Sequence, residues 1–113
     1  MASLPIEIPV QRAAELIAQG GAGVLDVREP HEYAAGRIPG SVHIPLGELA
    51  VRAGELDPEG PLIVVCLAGV RSLHAAQKLR AAGYEAASLA GGMLAWHDGH
   101  RPMDPPDGVV SAH

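Results

Sequence analysis

Leu62-Ile63-Val64-Val65-Cys66-Leu67-Ala68-Gly69-Val70-Arg71-Ser72 is the stretch that decides the fold. Leu62 to Val65 has no polar face, as a central strand of a parallel sheet covered by helices on both sides requires. From Ser72 the chain turns alanine-rich. Ala75, Ala76, Leu79 and Ala82 fall on one stripe, with Gln77, Lys78 and Arg80 elsewhere, until Gly83 stops the pattern. This predicts an amphipathic helix whose small residues allow close approach to a sheet.

Upstream of that unit, Ile6 to Ile8 reads as a short edge strand, and Val10, Ala13, Ala14 and Ile17 recur at helical spacing until Gly20-Gly21. Val24 to Val27 is a brief strand. The polar loop Arg28 to Tyr33 ends in one helical turn before Gly36, and Pro39-Gly40 makes a turn. Val42 to Ile44 reads as a third strand, followed by a weak helix over about 46–53 and a turn at Pro58 to Pro61. Downstream, Glu85 to Leu89 is the last strand, Gly91-Gly92 a turn, and Met93 to His97 a short helix holding the one tryptophan. Three prolines in residues 102–106 predict a frayed tail over 102–113 behind a domain of residues 1–101. Short strands alternating with helices give an α/β fold with a mainly parallel sheet, its sites at the carboxyl ends of strands.

Composition narrows the function classes. A chain of 113 residues with net charge −5 suits one domain, and 48% apolar content is that of an ordinary globule. The acidic balance offers no basic face for a phosphate backbone, so nucleic acid is not an expected partner. The longest uncharged stretches, 61–70 and 86–97, fall short of the roughly 20 apolar residues that cross a bilayer, so no membrane association is expected. Met1 to Pro5 lacks a basic segment followed by an apolar run, so no secretory signal is read there. The single cysteine, Cys66, has no partner for an internal disulfide. An unpaired thiol suits a reducing compartment, and a cytoplasmic location is expected. His97 and His100 lack further ligands at matching spacing, so no metal site is expected.

Cys66 lies where an α/β sheet places a functional group, after the central strand and just before a helix. A cysteine ending an apolar strand is, taken alone, also a small packed hydrophobe. The combination with Gly69, Arg71 and Ser72 points further. Gly69 supplies the backbone freedom for a tight curl, which turns amide N–H groups inward at a helix N-terminus. Such a ring of donors favours an anion, and the thiolate of Cys66 is the nearest one.

Cys66-x-x-Gly69-x-Arg71-Ser72 resembles the active-site loop of the rhodanese family of sulfurtransferases. Leu25-Asp26-Val27-Arg28-Glu29, with Glu32-Tyr33 and Gly36 to Ser41, resembles that family's first signature, and Gly91 to Trp96 its last. The resemblance implies a three-layer fold with about five parallel strands flanked by helices. It implies a sulfane sulfur carried on Cys66 as a persulfide, from thiosulfate or a persulfide donor to cyanide or a thiol. It assigns Leu67, Ala68, Gly69, Val70, Arg71 and Ser72 to the substrate cradle, mostly through backbone amides. Asp26 and Arg28 belong to the shell of the site, which Glu32 and Arg37 can join; Arg37 stands where many relatives have histidine. Arg71 either attracts an anionic donor or fixes the loop, and the sequence leaves both open. The chemistry requires no metal or organic cofactor, and its partners are small sulfur donors and acceptors or a thiol protein such as thioredoxin.

Loop length separates this chemistry from phosphate hydrolysis. Four residues lie between Cys66 and Arg71, one fewer than in cysteine phosphatases, so the bowl is narrower. Val65 precedes the cysteine where a histidine would stand, and the loop holds no aspartate to act as general acid. The apolar Leu67, Ala68 and Val70 give the rim little attraction for a dianion, so thiosulfate is expected to be a poor donor. The alternative from another class is a catalytically quiet module that binds a partner or senses oxidants through the thiol.

Overall fold

The computed structural model describes residues 4–110. Its elements are β1 (Glu7–Ile8), α1 (Val10–Ala18), β2 (Gly23–Asp26), α2 (Pro30–Ala35), β3 (Val42–His43), α3 (Leu49–Arg52), β4 (Leu62–Val65), α4 (Val70–Ala81), β5 (Ala86–Leu89) and α5 (Gly92–Asp98). The five strands form one parallel sheet in the order β1-β5-β4-β2-β3. β4 is central, with Val64 in register with Leu25 on one side and Ser88 on the other.

The unbroken apolar run of β4 follows from its two covered faces. Successive side chains point to opposite sides of a strand. Leu62, Val64 and Cys66 enter the cluster that holds Leu49 of α3 and Ala75, Ala76 and Leu79 of α4. Ile63 and Val65 enter the opposite cluster, with Ala13 of α1 and Met93 and Trp96 of α5. Small residues on α4 seat it close against the sheet, as the alanine stripe predicts.

Several elements differ from the sequence expectation. α4 begins at Val70 rather than Ser72, because Gly69 at φ +103° ends the loop and lets the helix start at once. The stretch expected as a polar loop with one turn contains a six-residue helix, α2, fixed by a reciprocal capping box between Glu29 and Glu32 and by Pro30 in its first turn. The weak helix expected over 46–53 is short helical turns from Leu46 to Glu55, with α3 in the middle.

The expected fraying does not hold for residues 102–110. Trp96 Nε1–H donates to Pro102 O at 2.8 Å. Arg37 and Asp104 exchange backbone hydrogen bonds of 3.1 and 2.8 Å, and Val109 N–H donates to Ala35 O at 3.0 Å. Ala35 and Arg37 are distant in sequence, so local composition gave no sign of them; residues 111–113 lie outside the described residues.

Parallel strands bring Asp26, Cys66 and Leu89 to one edge of the sheet. There β5 turns through Gly91 into α5, and Gly92 sits at φ +59° with its Cα against the cysteine loop. A Cβ on Gly92 would lie 2.5 Å from both Cys66 O and Leu67 O. Gly92→Ala is expected to cost about 2–4 kcal/mol in urea unfolding, through backbone strain and overpacking. Gly54→Ala, in open space, should change stability by less than about 0.5 kcal/mol.

Candidate active site

β4 delivers Cys66 to the rim, 1% exposed, with its side chain on the α4 side of the sheet. Gly69 N–H donates to Cys66 Sγ at 3.1 Å. Among the described residues it is the one amide within hydrogen-bond reach of that sulfur, so the expected ring from Leu67 to Arg71 does not close on the thiol itself. The remaining amides take a different direction. Cys66 O accepts from Met93 N–H at 2.8 Å, and Leu67 O from Leu94 N–H at 3.0 Å. In a trans peptide the N–H lies opposite the C=O, so the amides of Leu67 and Ala68 face away from α5. Gly69 O is likewise engaged, by Leu73 N–H at 3.3 Å, which sets the direction of the Val70 amide. The first turn of α4 leaves further donors unpaired within the helix. The loop is therefore held by its carbonyls, with the Leu67 and Ala68 amides on the side away from α5.

A chain of hydroxyls lies beneath the sulfur. Ser72 Oγ is 3.3 Å from Cys66 Sγ and 2.7 Å from Ser88 Oγ, and Ser88 Oγ is 3.4 Å from Gly69 O. Both serines are fully buried. Each hydroxyl rotates freely, so the chain serves either state of the cysteine. As a thiol, S–H donates to Ser72, Ser72 to Ser88, and Ser88 to Gly69 O. As a thiolate, Ser72 donates to the sulfur and Ser88 to Ser72. No polar atom need be stranded in either state, which matters at a site where an unmet group costs about 1–3 kcal/mol.

Arg71, its side chain 35% exposed, turns toward Glu32. Its Nη1 and Nη2 reach the two carboxylate oxygens of Glu32 at 3.0 and 3.1 Å. Burial pushes the Glu32 carboxyl up, but hydrogen bonds from Arg71 and the Glu29 amide, with the positive charges of Arg71 and Arg28, outweigh it. The carboxyl is held below its ordinary value. The hydrogen bond to Glu32 correspondingly raises the Arg71 guanidinium, against an opposing effect of burial.

Asp26 and Arg28 form a fully buried pair: Arg28 Nε and Nη2 meet the carboxylate at 2.8–3.0 Å, and Nη2 also donates to Gly36 O at 2.8 Å. Among the described residues neither side chain is hydrogen-bonded to the Cys66–Ser72 segment. Their role is to pin the crossover after β2, which in turn positions Glu32. Arg37 pairs with Asp104 at 3.5 Å and lies over the Tyr33 ring, away from the cysteine loop. The rim around the loop is apolar: Val70 is 66% and Leu94 39% exposed.

Comparison with known proteins places this arrangement. A family model described as the rhodanese-like domain matches residues 9–98. The chain belongs to the rhodanese-like family. It is 34% identical over 81 residues to YtwF of Bacillus subtilis, provisionally named a sulfurtransferase, covering 72% of this chain and 79% of that one. A rhodanese-related protein from Thermoplasma volcanium superposes with a TM-score of 0.83 at 31% identity, over 88% of this chain and 97% of that chain. The human single-domain sulfurtransferase TSTD1 gives a TM-score of 0.75 at 32% identity, over 84% and 97%.

Ser88 is the site residue that sequence reasoning missed. It sits in an apolar strand, and its signal is a lone hydroxyl at a fully buried position in rhodanese-like β5. Ser72→Ala is expected to slow Cys66 alkylation by iodoacetamide roughly ten-fold at neutral pH, as loss of a bond to a charged acceptor implies. A second outcome concerns Glu32. Because its folded carboxyl is more acidic than its unfolded one, its stabilisation is complete above about pH 5 and vanishes as pH falls through the folded value. Glu32→Gln should therefore be less stable than the parent at pH 7, by about 1–3 kcal/mol, with the gap closing in acid unfolding experiments.

Proposed function

We propose that this protein is a sulfurtransferase that carries sulfane sulfur as a persulfide on Cys66. The observation that supports it most directly is the 3.1 Å hydrogen bond from Gly69 N–H to Cys66 Sγ at the carboxyl end of the central strand. The sulfurtransferase-type chemistry of the rhodanese fold and the names borne by YtwF and TSTD1 agree with it.

The reaction has two displacements. The Cys66 thiolate attacks the outer sulfur of a donor, a new S–S bond forms, and the donor's S–S bond breaks with its electron pair leaving on the departing group. The outer sulfur of the persulfide then carries the negative charge, and in this reading the amides of Leu67, Ala68 and Val70 donate to it. Such fixed dipoles stabilise the charge without reorganising during the reaction. A thiol or cyanide acceptor attacks the outer sulfur, and the thiolate returns. Ser72 and Ser88 reset their hydroxyls as charge moves on and off Sγ. The space needed is that of one atom, far less than cavities of about 300–450 Å³ found elsewhere among the described residues.

One observation favours a second reading. Cys66 is 1% exposed and shares a cluster with Val64 and Ala75, as a catalytically quiet module would allow. Intact-mass measurement after incubation with a sulfane donor separates the two. Sulfur transfer is expected to add one sulfur atom, removed by cyanide or excess thiol and absent from Cys66→Ala. No adduct with any of several donors supports the quiet module instead.

A further inference from the structure

The cation of the cysteine loop is already spoken for. Arg71 is the one charged side chain between Cys66 and Ser72, and it meets Glu32 through two parallel hydrogen bonds of 3.0 and 3.1 Å. The pair takes up one N–H on each of Nη1 and Nη2 and matches the arginine's charge with a carboxylate, so a second anion would meet a cation already neutralised by its partner. Glu32 is 7% exposed and held from a second direction by Glu29 N–H at 2.9 Å, so the carboxylate cannot swing away without breaking the cap of α2.

The cations on this side of the fold are matched by carboxylates. Arg28 is matched by Asp26, both fully buried. Arg71 is matched by Glu32. Glu29 precedes α2 and acts on Arg71 from the same side, with no further cation paired to it among the described residues. Glu29 thus adds a negative charge beside two matched pairs. The exposed rim contributes Val70 and Leu94, which supply contact area and no charge.

We propose that Glu32 sets donor specificity: by holding Arg71 it denies a cationic foothold to dianionic donors and directs Cys66 toward sulfane donors with at most one negative charge on an apolar carrier. Glu32 acts through Arg71 and is a positioning residue. The proposal rests on the sulfur-transfer reading above and deepens it. The step is the same for either donor. With thiosulfate, the thiolate takes the outer sulfur and sulfite leaves with the electron pair; with an alkyl thiosulfonate, a sulfinate leaves in the same way.

Methanethiosulfonate and thiosulfate make a suitable pair of probes, because they present the same sulfane sulfur and differ by one unit of charge. The parent protein is expected to show a kcat/KM for methanethiosulfonate at least ten-fold above that for thiosulfate at low ionic strength. Added salt should narrow the ratio by screening the repulsion. Glu32→Gln frees Arg71 and should shift the ratio roughly ten-fold toward thiosulfate, the scale expected for one unmasked charge near a dianion. In Glu32→Gln/Arg71→Ala that gain should disappear. A parent that prefers thiosulfate overturns the proposal, as does a ratio unmoved by Glu32→Gln or a gain that survives loss of Arg71. The salt dependence of the parent keeps the test decisive if Glu32→Gln does not fold. Turnover of neither donor, with no sulfur adduct on Cys66, instead overturns the sulfur-transfer reading itself.

Discussion

Cys66 Sγ is buried, yet two polar groups reach it: Gly69 N–H and the Ser72 hydroxyl lie 3.1 and 3.3 Å away. Burying a charge without such donors is costly. Much of the fold serves to hold those two groups in place. Gly69 must adopt φ +103° to bring its amide back onto the cysteine three residues earlier, and α4 must begin immediately afterwards so that Ser72 lands under the sulfur. The central strand fixes the cysteine itself, since its neighbours β2 and β5 hold it in register on both sides.

The carbonyls of the loop are as important as its amides. Met93 and Leu94, at the start of α5, take up the carbonyls of Cys66 and Leu67. This is possible because Gly92 lets α5 approach to a distance that no side chain would permit. The last signature in the sequence thus works from behind the site: it satisfies one side of each peptide so that the other side is free. Asp26 and Arg28 play a comparable part further out, anchoring the segment from which Glu32 reaches Arg71.

The sheet, the central strand and the cysteine were legible in the sequence because they rest on local signals. Four apolar residues in a row, a glycine three after the cysteine and an alanine stripe each have a direct structural cause. What sequence could not supply was pairing across the fold. The bond from Arg71 to Glu32 spans 39 residues, and the one from Ser72 to Ser88 spans 16. Arg71 was accordingly open between two roles, and Ser88 was not singled out at all. The proline-rich segment 102–110 failed in the opposite sense, since composition argued for fraying while distant backbone groups on Ala35 and Arg37 hold it down. The expected ring of amides is not closed on the thiol: among the described residues one amide, that of Gly69, meets it, and in the proposed reaction the others take an added sulfur as their target.

That last point is open to direct sight. A crystal structure of the protein after treatment with a sulfane donor is expected to show one additional atom bonded to Cys66 Sγ, within hydrogen-bond distance of the amides of Leu67, Ala68 or Val70. An unmodified cysteine after exhaustive treatment, or an added atom lodged among aliphatic side chains with those amides turned elsewhere, would contradict the account.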